Sequence, residues 1–355
     1  MLSKKKYTQS HKLFLHVGLH KTGTSSIQES LIKNKKFLKK EDIIVLSNLP
    51  NISQISRQNS SNDSLIKKCT LELNDNLSRY NTKPIKIIIS NEELSGNPYN
   101  GYKNTKAIAE NLSKVTKSIN TKIIIYLRKQ DEFVESLYIQ SIKEGKTHDF
   151  NEFLKSFRNN AFDWCKYLNI WLRYFSKNQL LIRLYDKQFL KDNILYDFAN
   201  IIKSEVLQND KENYNVNLGY SRNALEVARK LNQYISKDEI QRIRTLLEKI
   251  EPRKRFDSFS LFTDEIREEY LASYKSSNIE LGNRFLSLCS EKYFRLNKNK
   301  IKNQVNQKLD IESYTKIISK IIGFFIEENK MLRYKTNPTI KNLSKMLYFY
   351  ITKSK

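Results

Sequence analysis

Five short apolar runs, rich in β-branched residues and separated by longer helix-like stretches, restrict the fold of this chain most strongly. Near-continuous apolarity, without a strict alternation of polar and apolar residues, is typical of parallel strands that are covered on both faces. The five runs are Lys12–Val17, Ile43–Leu46, Ile85–Ser90, Lys122–Leu127 and Leu180–Tyr185. Strands that alternate with helices indicate βαβ units. The predicted fold is therefore α/β: a three-layer sandwich around a central parallel sheet.

The chain becomes helical in pattern after Tyr185 and very basic from Asn297 onward. We therefore predict one domain over residues 1–296, with a helical second half, and a basic helical tail over residues 297–355. Periodicity predicts these helices: Ser25–Lys36, Ser64–Tyr80, Lys103–Ser118, Asp131–Glu144, Ala161–Phe175, Lys187–Ile202, Ser221–Tyr234, Lys237–Ile250, Thr263–Tyr274, Ile311–Glu328 and Thr339–Thr352.

The formal net charge of +25 raises the question of a nucleic-acid partner. The basic residues are scattered among acidic ones rather than gathered on one face, so an anionic ligand or surface is favoured over nucleic acid.

The three cysteines are far apart and there are only four histidines, so we expect no metal. No run reaches the roughly 20 apolar residues of a membrane span, and no cleavable leader is recognisable. We therefore expect a cytoplasmic protein.

The first predicted strand runs into a glycine-containing loop and then into a helix that begins with hydroxyl side chains. Gly18 and Gly23 allow backbone shapes that a side chain would block. The free N–H groups and the positive dipole end of the helix suit an anion. Lys21 adds a mobile positive charge. The remaining predicted ligand contacts are the hydroxyl-bearing residues Thr22, Thr24, Ser25 and Ser26.

This loop differs from that of nucleoside triphosphatases, in which a lysine follows the second glycine. Here Lys21 precedes Gly23 by two residues. The order Lys-Thr-Gly-Thr after His-x-Gly resembles the 5′-phosphosulfate loop of sulfotransferases that use 3′-phosphoadenosine-5′-phosphosulfate (PAPS). It is most similar to that of the bacterial and Golgi carbohydrate-type members. The resemblance implies PAPS as the cosubstrate and no metal requirement.

The resemblance also implies a 3′-phosphate site made of an arginine at a strand end and a serine on the next helix. Arg128 ends the run Ile123–Leu127, and the following helix carries Ser136. Independently of the family, the carboxyl end of a central strand is where open α/β sheets bind ligands. A guanidinium can bind phosphate oxygens in a bidentate manner.

Sulfuryl transfer resembles phosphoryl transfer, in which positioning and charge stabilisation supply most of the rate. We expect Lys21 to stabilise charge on the leaving group. In related carbohydrate sulfotransferases a Ser-x-Glu at the third strand end carries the general base, which maps to Glu92. Glu93 and His20 remain alternative bases. Arg253, Lys254 and Arg255 stand where the cytosolic members carry an Arg-Lys-Gly loop, but glycines are lacking, so the lid over the nucleotide stays undefined.

The implied reaction converts PAPS and an acceptor hydroxyl into adenosine 3′,5′-bisphosphate and a sulfate ester. The resemblance implies a sugar of a surface glycan or glycolipid as the acceptor. A phosphate-loop nucleotide kinase, or a basic nucleic-acid or membrane-binding protein, is the alternative.

The tail segment Tyr314–Ile326 places apolar side chains on one helical face. Such a helix can lie on an anionic membrane surface, where a lipid-linked acceptor would be found. Packing of the same face against the protein core is the ordinary alternative. The apolar residues concerned are Ile317, Ile318, Ile321, Ile322 and Phe325, with Lys316 and Lys320 toward the other face.

Overall fold

A five-stranded, fully parallel sheet forms the centre of the fold and confirms the predicted α/β class. The structure is a computed structural model and describes residues 11–80, 83–157, 160–190, 192–210, 219–252, 259–286 and 311–336. The strands are β1 (Lys12–His16), β2 (Ile43–Val45), β3 (Lys86–Ser90), β4 (Asn120–Leu127) and β5 (Leu180–Leu184). All five overlap the predicted runs, and β4 begins at Asn120, before the predicted start at Lys122.

The α-helices follow the alternation that the sequence predicts. They are α1 (Thr24–Lys33), α2 (Lys35–Leu38), α3 (Pro50–Gln54), α4 (Asp63–Leu77), α5 (Thr105–Val115), α6 (Gln130–Lys143), α7 (Phe150–Ser156), α8 (Trp164–Trp171), α9 (Ile194–Ile202), α10 (Glu205–Gln208), α11 (Arg222–Leu231), α12 (Lys237–Ile250), α13 (Asp264–Ala272), α14 (Lys275–Leu281) and α15 (Ile311–Thr336).

The strand order β2-β3-β1-β4-β5 places β1 at the centre of the sheet. The chain first moves outward from β1 to β2 and then back across the sheet to β5. Because parallel crossovers are right-handed, these opposite directions put helices on opposite faces. Helices α1 and α9 pack together on one face, while α4, α5 and α8 form the neighbouring pairs on the other. A crevice therefore opens at the carboxyl end of β1, where the first connections diverge.

The core of the α1 and α9 face is apolar and continuous. Phe14, Ile88 and Ile124 stand on adjacent strands and pack with Ile27 of α1 and Phe198 of α9. Successive strand residues point to opposite faces, so the fully buried neighbours of these three face the other helical layer. Burial on both sides explains why the strands read as apolar runs without alternation.

Two helices begin later in the chain than periodicity predicts, because side-chain caps fix their first residues. The helix predicted from Lys187 begins at Ile194, because the Asn193 side chain accepts a hydrogen bond from the Tyr196 N–H. The helix predicted from Ala161 begins at Trp164, because Asp163 caps it in the same way. The short helices α3, α7, α10 and α14 were not predicted.

Contacts between residues divide the chain into two units. The first contains residues 1–138, 150–216 and 262–302, and the second contains residues 139–149, 217–261 and 303–355. Within the second unit α15 packs on α11 and α12, and Ile317 and Ile321 are buried. The predicted boundary between residues 296 and 297, the helix Thr339–Thr352 and the basic residues 253–255 lie outside the described residues. Among the helices described, none combines the length and apolarity that crossing a membrane requires.

Candidate functional site

The loop between β1 and α1 is shaped by three residues with left-handed backbone, Gly18 (φ 46°), Lys21 (φ 62°) and Gly23 (φ 78°). A Cβ on Gly18 would lie 2.8 Å from the Thr24 hydroxyl oxygen. A Cβ on Gly23 would lie 3.1 Å from the Tyr185 ring. Glycine is thus required at both positions by backbone shape and by close packing.

The amino terminus of α1 is open to a ligand. Its N-cap residue is Gly23, which has no side chain to accept the first N–H groups, and no acidic residue follows in the first turn. The Thr24 hydroxyl oxygen is buried and has no hydrogen-bond partner among the described residues. Ser25 is exposed and Ser26 is half-buried. Uncapped N–H groups and the helix dipole make this end suitable for an anion.

Thr22 differs from the other hydroxyl residues of the loop. Its side chain is fully buried and donates a 2.6 Å hydrogen bond to the carbonyl oxygen of Leu19. This hydroxyl therefore holds the loop in shape, and a ligand contact of Thr22 stays a prediction.

Arg128 connects the end of β4 to the loop. One of its terminal nitrogens donates a 3.1 Å hydrogen bond to the carbonyl oxygen of Lys21. Its Nε lies 3.6 Å from a carboxylate oxygen of Glu132 but is buried without a hydrogen bond in the described part of the chain. The guanidinium also lies 5.7 Å from the centre of the Tyr185 ring. The structure thus brings the two sequence-predicted anion-binding elements together.

Ser136 lies on α6 and is half-exposed. It is in the second turn of that helix, whereas Arg128 precedes the helix. No hydrogen bond joins the two side chains in the described part of the chain, so their shared site is a prediction that a bound phosphate would have to complete.

Two candidate catalytic groups, Glu92 and His20, lie near the Lys21 charge. Burial raises the pKa of Glu92, while the positive charge of Lys21 acts in the opposite direction. Burial, reinforced by Lys21, lowers the pKa of His20 to about 4. His20 Nδ1 lies 3.4 Å from both the Ser95 hydroxyl and the Tyr102 hydroxyl. His20 is therefore neutral near pH 7.

Glu93 is directed elsewhere. Its side chain is exposed and accepts a 3.3 Å hydrogen bond from the Ser56 hydroxyl. The Asn91 side chain accepts from the Glu93 N–H and thereby caps the short turn that begins at Glu92. This turn directs the two adjacent glutamates differently, and it favours Glu92 as the residue that faces the loop.

Sequence reasoning missed Tyr185, Trp164 and His16. Tyr185 directly follows β5. Because ligands bind at the carboxyl ends of parallel strands, this position could have predicted Tyr185 as a site residue. The Trp164 ring N–H donates a 2.7 Å hydrogen bond to the Arg128 carbonyl oxygen, a tertiary contact without a local signature. His16 is fully buried, with Nδ1 2.8 Å from the Ser90 hydroxyl, and burial lowers its pKa to about 3. It is thus a neutral residue beneath the loop.

This edge of the sheet can hold an anion at the α1 terminus, a second anionic group near Arg128, and a proton at Glu92. No group of three or more potential metal-ligating side chains was found among the described residues.

Comparisons with known proteins give little further information about the chain. No family model matches it. An uncharacterised protein of Archaeoglobus fulgidus is 25% identical over 230 residues, an alignment that covers 62% of each chain and so less than two thirds of that relative. The crystal structure of a sulfotransferase from Alicyclobacillus acidocaldarius matches with a TM-score of 0.39 and 15% identity, over 77% of this chain and 96% of that one. At these values the likeness carries no argument about activity.

Proposed function

We propose that this chain is a sulfotransferase that moves the sulfuryl group of PAPS to an acceptor hydroxyl. The hydrogen bond from Arg128 to the Lys21 carbonyl oxygen carries the proposal, because it joins two anion-binding elements into one site. PAPS has anionic groups at both its 5′ and 3′ positions. A ligand with two separate anionic ends matches a glycine loop at a helix terminus and an arginine at the neighbouring strand end.

The residues present fit such a cosubstrate. The Thr24 hydroxyl and the Arg128 Nε are buried polar groups without hydrogen bonds in the described part of the chain, and a bound anion would satisfy both. Gly18 and Gly23 allow the left-handed backbone that forms the loop before the α1 terminus. Tyr185, whose ring lies against Gly23 and faces Arg128, adds an aromatic surface beside both anion-binding elements.

Two side chains carry the proposed reaction. PAPS supplies an activated sulfuryl group on a phosphate that leaves readily. Glu92 accepts the proton of the acceptor hydroxyl as its oxygen bonds to sulfur. Lys21 stabilises the negative charge that collects on the bridging oxygen as the sulfur–oxygen bond to the phosphate breaks. The products are a sulfate ester and adenosine 3′,5′-bisphosphate, and the proton resides on Glu92.

The raised pKa of Glu92 suits this role. A carboxylate with a raised pKa is a better proton acceptor than an exposed one, provided that it remains ionised at the working pH. The nearby Lys21 charge favours that ionised form. A sugar of a surface glycan or glycolipid as the acceptor belongs to the same proposal.

Calorimetry with adenosine 3′,5′-bisphosphate, ATP and adenosine 5′-monophosphate tests the proposal. We expect the bisphosphate to bind most tightly. Arg128→Ala and Ser136→Ala should weaken its binding by about ten-fold or more each, because each removes a contact to a charged group. Binding of the monophosphate should change far less, since it has no 3′-phosphate. Arg57→Ala, at an exposed arginine outside the site, is the control.

Two results would contradict the assignment. Preferred binding of ATP would favour a nucleotide kinase. An equal loss for bisphosphate and monophosphate in the Arg128→Ala and Ser136→Ala variants would mean that the 3′-phosphate is not held there.

A further inference from the structure

A cavity of about 240 Å³ opens beside the carboxyl ends of β2 and β3, between helices α1 and α3. All of its lining residues belong to the first unit of the chain. Its polar wall consists of the uncharged residues Gln28, Ser47, Ser53, Ser90 and Asn91, and aliphatic side chains form the rest. None of the assigned catalytic or nucleotide-binding residues lines this cavity.

The cavity adjoins the proposed catalytic edge through residues that are neighbours in the chain. Asn91, which lines it, directly precedes Glu92 in the chain. Thr24, at the loop, and Gln28, at the cavity, lie one turn apart on α1, which corresponds to about 6 Å along the helix axis. Gln28 Nε2 donates a 3.2 Å hydrogen bond to the Ser90 carbonyl oxygen and so links α1 to β3 between the two places. An occupant of the cavity therefore lies beside Asn91, the residue that precedes Glu92.

The lack of charge in the lining favours an uncharged occupant. The chain carries a net charge of +25, yet no charged side chain among the described residues lines this cavity. An ion that loses water without gaining a partner of opposite charge pays a large desolvation penalty. An uncharged occupant does not.

Polarity and size narrow the occupant further. The hydroxyl and amide groups of the lining can hydrogen-bond to hydroxyl groups, and its aliphatic side chains can contact the apolar face of a ring. The volume lies below the roughly 300–1,000 Å³ of pockets that enclose drug-sized ligands. A single ring-sized group suits it.

We propose that this cavity binds an uncharged sugar ring of the acceptor and discriminates against rings that bear a carboxylate. The proposal rests on the proposed sulfotransferase function, and it narrows the acceptor to a molecule that has a neutral sugar beside the hydroxyl to be sulfated. Ser53 on α3 and Ser47 after β2 are the residues at which this preference can be altered.

Saturation-transfer NMR on the full chain with phenyl β-glucoside and phenyl β-glucuronide tests the proposal. We expect the glucoside to bind and the glucuronide to bind about ten-fold or more weakly, because its carboxylate has no partner in the lining. Ser53→Phe fills the cavity and should remove glucoside binding. Gln54→Phe, at the exposed neighbouring position of the same helix, is the matched control and should leave binding intact.

A gain-of-function variant keeps the test decisive if Ser53→Phe folds poorly. Ser47→Lys places a positive charge at the exposed rim of the cavity and should raise glucuronide affinity relative to glucoside affinity. Equal binding of both glycosides to the unaltered chain would overturn the proposal, as would glucoside binding that survives in a folded Ser53→Phe variant. An unchanged preference in Ser47→Lys would overturn it as well.

Parallel titration with adenosine 3′,5′-bisphosphate separates this proposal from the proposed function. Bisphosphate binding without glucoside binding would refute the sugar site and leave the function standing. Glucoside binding that depends on Ser53, without bisphosphate binding, would refute the function and leave the sugar site standing.

Discussion

Lys21 occupies a left-handed backbone conformation that costs a non-glycine residue about 1–2 kcal/mol. In this conformation its carbonyl oxygen accepts the hydrogen bond from Arg128. Its side-chain charge meanwhile affects the pKa of both Glu92 and His20. The residue therefore acts through its backbone and its side chain at once, and a substitution that keeps the backbone tests the side chain alone.

Lys21→Ala should lower turnover by on the order of 10²–10³, because one charge-stabilising contact in the transition state is lost. Lys21→Arg should retain more activity, since it keeps the positive charge. Transfer of labelled sulfate from PAPS to a glycan extract of the producing cells measures both variants. Lys36→Ala, at an exposed lysine, serves as the control. Near-normal turnover of Lys21→Ala would rule out the proposed role.

Glu92 must be ionised to accept a proton, so kcat/KM should rise with pH through its pKa. Because burial raises that pKa above the ordinary value of 4.5, activity should fall on acidification at a higher pH than an exposed glutamate would give. Glu92→Gln should abolish transfer and leave the affinity for adenosine 3′,5′-bisphosphate nearly unchanged. The pH profile of the unaltered enzyme and calorimetry of the variant check both statements.

His20 as the general base predicts a different dependence of activity on pH. If His20 were the base, activity would fall near its pKa of about 4, and the fall would persist in Glu92→Gln. An active Glu92→Gln variant together with an inactive His20→Asn variant would therefore transfer the assignment to His20.

The element that decides ligand binding is the β1–loop–α1 unit. Sequence periodicity predicts its strand and its helix, and its glycines indicate a tight turn between them. The sequence could not show that the Gly23 backbone lies against Tyr185 and Ile194, which are more than 160 residues further along the chain. Gly23 is consequently a packing residue as well as a turn residue.

Gly23→Ala should destabilise the protein by about 1–3 kcal/mol and weaken adenosine 3′,5′-bisphosphate binding, because both its φ of 78° and its close neighbours oppose a Cβ. Gly323→Ala is the matched control. Gly323 lies inside α15, where an added Cβ would meet no atom within 4 Å beyond the backbone of its own helix, so this change should stabilise the helix by about 0.5–1 kcal/mol. Urea unfolding measures the free energy of unfolding of both variants. A change of the same sign in the two variants would contradict this expectation.

At the scale of the whole molecule, the apolar face of α15 is largely covered within the second unit. Ile317 is 1% exposed and Ile321 is 7% exposed, and the Lys320 ammonium donates a 3.1 Å hydrogen bond to the Ile250 carbonyl oxygen. This favours the packing alternative for the stripe. Ile322 is 53% exposed, so peripheral membrane contact through this helix stays a proposal.

Ile317→Ala should lower the free energy of unfolding by about 2–5 kcal/mol, because it leaves a cavity in a packed region. Ile322→Ala, on the same helix but half exposed, should change it by about 0.5 kcal/mol or less. Thermal unfolding monitored by circular dichroism compares them. Similar effects of the two substitutions would show that α15 does not pack as described.

The sequence by itself determined the fold class, all five strands and the loop that opens α1. These features depend on local periodicity and on glycines at fixed spacing, which neighbouring residues encode. It also placed Arg128 and Glu92 at strand ends, and the parallel topology then brought those ends to one edge of the sheet.

Only the tertiary structure decided which of these residues meet and what surrounds them. The Arg128 bond to Lys21, the opposite directions of Glu92 and Glu93, and the uncharged cavity beside β2 and β3 all join segments distant in sequence. The inward turn of Thr22 is local, yet its hydroxyl type alone does not distinguish a ligand contact from a loop contact. Contacts and burial across the fold, rather than residue type, set hydrogen-bond partners and pKa values.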